Sequence, residues 1–116
     1  MLRQSRRISG RQRIQLVLKD GERLKGRSLS MLRLENPANE KHCYAVVVSK
    51  KVHKLAVQRN RLRRQIFESI RTLQKEGVVP SGAPSDIVVL ARKSLLNKDF
   101  TEIKTSMRQL FTTNND

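Results

Sequence analysis

The sequence predicts an α/β (α+β) fold: a small two-layer α-β sandwich with elements in the order α-β-β-α-β-α. Three observations predict it. At 116 residues the chain is long enough for one small core and too short for two. Two apolar runs of strand length, Cys43 to Ser49 and Asp86 to Ala91, bracket a long stretch of helical period. No internal repeat or low-complexity linker divides the chain, so residues 1–116 are read as one domain, with 1–9 and 112–116 expected to be mobile.

Each element has its own signal. From Gly10 to Lys19, Ile14, Val17 and Leu18 share one side of a short helix, which Gly21 is expected to end in a left-handed conformation. Ser28 to Leu34 alternates as a strand, Leu29 and Met31 pointing one way and Ser28, Ser30, Leu32 and Leu34 the other. Residues 35–39, ENPAN, form a turn. The Cys43–Ser49 strand is apolar throughout its centre, which implies burial on both faces and a central place in the sheet; the turn before it implies an antiparallel hairpin. Leu62, Ile66, Ile70 and Leu73 then recur on one side of a long helix that should stop near Gly77. Val79 to Pro84 is loop by composition, Asp86 to Ala91 the third strand, and Asp99 the cap of a last helix carrying Phe100, Ile103, Met107, Leu110 and Phe111.

Charge points to a partner. The formal net charge is +15, a self-repulsion that an anionic partner would offset, and nucleic acid is the first candidate. No Asp or Glu occurs from Lys41 to Phe67. On the long helix Asn60, Arg64 and Arg71 fall opposite the apolar stripe, with Arg63 on the flank. A solvated helix normally mixes signs, so this side reads as a surface for a polyanion. The basic N-terminal arm either orders on phosphate or stays unstructured. The single cysteine, Cys43, excludes an internal disulfide framework and reads as a small residue packed in a strand. With no secretion signal and no stretch apolar enough to span a bilayer, the expected compartment is the cytoplasm.

Catalytic chemistry is not evident in the side chains. The ten acidic residues are scattered singly, whereas metal-dependent nucleases cluster carboxylates. His42 and His53 lack zinc-type spacing and read as exposed or helix-starting residues rather than a catalytic pair. No activated nucleophile or phosphate-cradling glycine loop is present. No catalytic residue and no metal site on side chains alone is therefore expected. Broad basic surfaces suit structured RNA, no compact recognition helix for DNA is evident, and an aromatic content of 3% argues against a stacking platform for single strands.

The run SKK…AVQRNRLRR resembles the signature of the bacterial ribonuclease P protein subunit. The match is carried by Ser49, Lys50, Lys51, Ala56, Arg59, Asn60, Arg61, Arg63 and Arg64. The segment IQLVLKDGERLKG is similar to the family's first helix and glycine turn, and DIVVLAR to its last strand; the resemblance spans about Ile8 to Phe111. It implies a fold with a left-handed β-α-β crossover. It also implies a role: the protein assists a catalytic RNA that removes the 5′ leader from precursor tRNA. In that role Ser49, Lys50, Lys51, Lys54, Arg59, Asn60, Arg61, Arg63, Arg64 and Arg71 would meet RNA. Arg11, Ile14, Leu18, Ser30 and Leu32 would line a leader cleft between the sheet and the long helix. Mg²⁺ would be bound mainly by the RNA subunit; the partners would be that RNA and precursor tRNA, with no membrane and no stable protein partner.

The chain departs from the family pattern at several points. Ile14, Leu18 and Leu32 stand where aromatic side chains are usual in the cleft, Phe67 where arginine is frequent, and His53 where the family has glycine. Phe67 is either a stacking group or a second, minor core contact, the latter being preferred. The alternative to a ribonuclease P subunit is a structural RNA-binding protein of ribosomal type; a protein-only nuclease lacks the carboxylates it would need.

Overall fold

Alternation in the strands decides where the helices sit. In the computed structural model, which describes residues 6–112, four strands form one mixed sheet. They are β1 (Glu22–Lys25), β2 (Leu29–Glu35), β3 (Cys43–Val47) and β4 (Ser85–Ala91), in the spatial order β1-β2-β4-β3. The α-helices are α1 (Arg11–Asp20), α2 (Ala56–Lys75) and α3 (Phe100–Thr112), with a 3-10 turn at Lys93–Asn97 leading into α3. Leu29, Met31, Tyr44, Val46, Ile87 and Val89 face Ile66, Ile70 and Leu73 of α2 and Ile103, Met107 and Phe111 of α3. Leu32, Ala45 and Val88 face the other way, onto Val17 of α1 and Ile8. Sheet and long helices make the expected sandwich, and α1 lies on the opposite face.

Four expectations are corrected. The central strand is β4, not β3: Ile87, Val88 and Val89 are fully buried, with β2 on one side and β3 on the other. β2 and β3 form no hairpin, because β4 inserts between them. It pairs antiparallel with β2 (Met31↔Val89) and parallel with β3 (Val46↔Val89). The apolar centre of β3 is buried on both faces by helices, which imitates a central strand in the sequence. A further strand, β1, lies at the other edge; its ERLK has a single apolar residue and therefore gave no strand signal. Gly21 is extended (φ −72°), not left-handed. Glycine is required there for space: a Cβ would lie 2.5 Å from the Val17 carbonyl oxygen. A left-handed glycine does follow α2: Gly77 (φ 79°) lies just past the helix end, where the helix was expected to stop.

The hand of the β3–α2–β4 crossover follows from Tyr44. Its ring points to the α2 and α3 face, while its carbonyl, on the flank away from β4, accepts the Ile8 N–H at 2.8 Å. For an L-residue in an extended strand these two directions fix the third: seen from α2 with β3 running upward, β4 lies to the left. The crossover is left-handed, against the general preference. The same contact holds residues 6–8, expected to be mobile: Arg7 bridges Tyr44, Ile8 is buried, and Arg6 Nε donates to the His42 carbonyl (2.9 Å). Thr112 closes α3, so of the expected mobile ends only residues 1–5 and 113–116 lie outside the described residues.

Polar anchors tie the layers. Buried Asp86 accepts from Arg13 of α1 (2.5 and 3.1 Å) and from the amides of Asn36 (3.1 Å) and Asn39 (2.8 Å), fixing α1 and the β2–β3 connection to β4. Burial pushes the Asp86 carboxyl up, but the hydrogen bonds from Arg13, Asn39 and Asn36 outweigh it and hold it below its ordinary value. Buried His42 accepts the Ser85 N–H on Nδ1 (3.1 Å), which leaves Nε2 protonated to donate to the Pro80 carbonyl (2.9 Å). It is a neutral staple between β3 and the loop before β4. Burial lowers its pKa, the Pro80 carbonyl opposes this, and the Arg33 and Arg6 cations add to the lowering. Asp99 and Glu102 form a reciprocal capping box on α3 (2.9 and 3.2 Å). Glu76 takes Lys104 and Arg108 from α3.

Replacing Asp86 with Asn leaves Arg13 half-matched in a partly buried site and should cost roughly 3 kcal/mol, read as a lower urea midpoint with unchanged slope. Stability should also fall as pH drops below about 7: unfolded histidine protonates near 6.5, before folded His42 with its lowered pKa does, so the unfolded state binds more protons. His42→Gln should flatten that segment of the profile. A second loss, below about pH 4, belongs to Asp86, whose depressed pKa stabilises the fold only while the carboxylate is ionised.

Candidate nucleic-acid interface

The turn after β3 and the first turns of α2 bring the basic residues together. Ser49, Lys50, Lys51 and Lys54 are exposed at the C-terminal end of β3; Val52, buried between them, pins the turn, and its N–H reaches the Ser49 carbonyl (3.0 Å). α2 begins at Ala56 with no acidic residue in its first turn and no side-chain cap on Leu55. The cap is assembled otherwise. The Leu55 N–H donates to Nδ1 of His53 (3.1 Å), so His53 has the helix-starting role. Arg59 Nη1 donates to the carbonyls of His53 (3.0 Å) and Lys54 (2.8 Å).

These bonds divide the RNR tripeptide. Arg59 is half-buried and committed to the turn that presents the lysines. Asn60 accepts from Arg63 Nη1 (2.5 Å), so its carbonyl is used within the chain and only its amide donors remain outward. Arg61 and Arg64 are exposed. Among the described residues no carboxylate lies within ion-pair reach of Lys50, Lys51, Lys54, Arg59, Arg61, Arg63 or Arg64; the recorded pairs are elsewhere. Arg71 is different. Glu68, one turn earlier, holds its guanidinium from Nε (3.0 Å) and Nη2, which lowers the pKa of Glu68 and leaves Arg71 without an uncompensated charge. The sequence stretch without acids ends at Phe67, and Arg71 lies beyond it.

The proposed cleft residues lie on the other side of the sheet. The space between sheet and α2 is filled by Ile66, Ile70 and Leu73, so no cleft exists there. Leu32 is buried on the α1 face, Ile14 packs half-buried against it, and Leu18 and Arg11 are exposed along α1. Strand register continues this face through the row Ser30, Leu90 and Val47, toward the end where Ser49 emerges. Leu90 and Val47 are half-buried; Ser30 is covered by Arg92, whose Nε and Nη2 both reach Ser30 Oγ (3.3 Å). Arg23 and Lys25 of β1, paired with Leu32 and Ser30, share the face. Arg23, Lys25 and Arg92 thus border the same face, and were missed because β1 had no strand signal and Arg92 follows its strand. Phe67 is in the core, with the Arg7 guanidinium over its ring at 4.7 Å, which settles it as a core contact.

Among the described residues no group of three or more His, Cys, Asp or Glu side chains is placed to hold a metal ion, and no helix is long and apolar enough to cross a membrane.

Comparison with known proteins gives one answer. The profile of the family described as Ribonuclease P matches residues 2–115. The ribonuclease P protein component of Bacillus velezensis is 30% identical over 110 residues, covering 95% of this chain and 90% of that protein. That of Stutzerimonas stutzeri is 37% identical over 86 residues, covering 74% and 61%. The solved RNase P protein of Thermotoga maritima superposes with a TM-score of 0.78 at 28% identity, covering 95% of this chain and 98% of that one. The Staphylococcus aureus RNase P protein shares the fold (TM-score 0.77, 24% identity, 90% and 91% covered). Matched over nearly its whole length, with the SKK and RNR residues gathered at one end of the sheet, the chain belongs to the ribonuclease P protein family and is a protein subunit of ribonuclease P.

Proposed function

We propose that this subunit binds both the catalytic RNA and the 5′ leader of precursor tRNA in the cytoplasm, and supplies no catalytic group itself. The observation that carries the reading is the cluster of exposed cations, Lys50, Lys51, Lys54, Arg61 and Arg64, with no carboxylate among the described residues in ion-pair reach. Such a surface is unfavourable alone and becomes favourable against phosphates, with release of condensed counterions. The positive end of the α2 dipole adds to it. The leader is assigned to the α1 face, where Ile14, Leu18, Leu32, Val47 and Leu90 offer an apolar floor and Arg11, Arg23, Lys25 and Arg92 a basic border. With aliphatic groups in the floor, bases would be gripped less by stacking and more through phosphate. Mg²⁺ is assigned to the RNA: two RNAs brought together repel, and a basic wedge between them strengthens both substrate and cation binding.

Adding the protein to a bacterial ribonuclease P RNA with precursor tRNA at low Mg²⁺ should restore leader removal. No stimulation despite RNA binding would favour a purely structural RNA-binding role, and cleavage by the protein alone would place the chemistry in this chain. The division of the RNR tripeptide makes a second expectation. Arg61→Ala should reduce the salt slope of RNA affinity by about one, as for one lost phosphate contact. Arg59→Ala should weaken binding with little change of slope and speed amide exchange at Val52–Gln58; a full unit of slope lost at Arg59 would mean that it leaves the turn to meet phosphate.

A further inference from the structure

Between the start of α2 and the start of α3 is a groove of about 240 Å³ that the reading above does not use. Its floor is apolar: Leu62 of α2, Leu96 of the 3-10 turn and Phe100, the first residue of α3. Gln58 and Gln65 stand on one wall, and neither amide has a hydrogen-bond partner among the described residues. Arg61 is at the rim, one helical step from the exposed Arg64 and contiguous with the basic cluster. Lys98 and Asp99 complete the rim, but both are engaged: Lys98 with Glu102 at 3.7 Å, and Asp99 in capping α3.

The chain has four aromatic side chains. Tyr44, Phe67 and Phe111 are buried in the core, and Tyr44 and Phe111 stack on one another. Phe100 alone is only half-buried, and it faces this groove. The volume is below the roughly 300–1,000 Å³ of pockets that take drug-sized ligands. An apolar floor with one aromatic, two amides able to donate and accept, and an uncompensated guanidinium at the mouth suits a flat heterocycle attached to a phosphate.

Resting on the RNA-binding reading, we propose that the α2–α3 groove receives one unstacked nucleobase of the catalytic RNA, stacked on Phe100, read by Gln58 and Gln65, with its phosphate on Arg61. Charge favours RNA as the occupant, because the groove opens onto the cationic surface and its one acidic side chain is committed to a helix cap. A single aromatic makes no platform for tracking a strand, but it is enough for one base.

The test is titration of bacterial ribonuclease P RNA, and of a fully paired RNA duplex, with the intact protein at several salt concentrations. Phe100→Leu and the double change Gln58→Ala with Gln65→Ala should each weaken binding to the catalytic RNA by about 5- to 20-fold with unchanged salt slope, since stacking and amide contacts release no counterions. Binding to the duplex should stay as in the parent protein, and Phe100→Trp should keep full affinity. The glutamine pair is half-buried on the groove wall and outside the core cluster, so it carries the test if Phe100→Leu unfolds α3. Parent-like affinity of the folded variants overturns the inference, as does an equal loss on duplex RNA. Both outcomes differ from a failure of the wider reading, in which the parent protein itself would not stimulate cleavage.

Discussion

In a chain with a formal charge of +15, self-repulsion is offset within the fold by a few carboxylates that brace its elements. Asp86 is the clearest case: one buried group on the central strand holds α1 and the β2–β3 connection at once. Glu76 clamps α3 to α2, Glu68 takes Arg71, and Glu102 serves the first turn of α3. With these acids engaged elsewhere, the turn after β3 and the start of α2 keep cations that no carboxylate among the described residues pairs. Fold stability and the charge of the interface are therefore set by one allocation, and moving a single acid toward Arg61 would alter both.

Topology brings the basic residues to one place. Because β3 and β4 are parallel, their C-terminal ends lie together, and the chain leaves β3 through Ser49–Lys51 at the same end where Arg92 leaves β4. The left-handed path through α2 then puts the helix start next to that end, on the face opposite α1. Cations thus surround the end of the sheet from both faces, while its interior is closed by aliphatic packing. Arg59 and His53 add order at the critical turn, where the usual serine or aspartate cap is missing and a carboxylate cap would have introduced the wrong charge.

Much of this was legible in the sequence. The helical period of Leu62, Ile66, Ile70 and Leu73, the alternation of Leu29 and Met31, and the Asp99 cap each express a local rule, and each appears where expected. The misreadings share a cause: pairing between distant segments leaves no local trace. Nothing in DIVVLA says that it enters between two strands that a turn had seemed to join. Burial by helices on both faces gave β3 the composition of a central strand. β1 is polar because it is an edge, and for that reason its arginine and lysine could not be placed on the α1 face from the sequence. Within the site, residue type revealed the sign of the surface but not the uses of its members. Arg59 bonds to carbonyls, Asn60 orients Arg63, and Arg71 is neutralised one turn away, all of which depend on rotamers that spacing does not fix.

The short segment at Arg6–Ile8 has a consequence of its own. β3 is an outer strand whose residues Tyr44, Ala45, Val46 and Val47 are strongly apolar, and such a flank is a template for another copy's strand. Residues 6–8 seal it by bonding at Tyr44, sinking Ile8 and laying Arg7 over Phe67. Proteolytic trimming past Arg6 would thus do more than remove positive charge: it would uncover a sticky seam and turn the protein toward self-association.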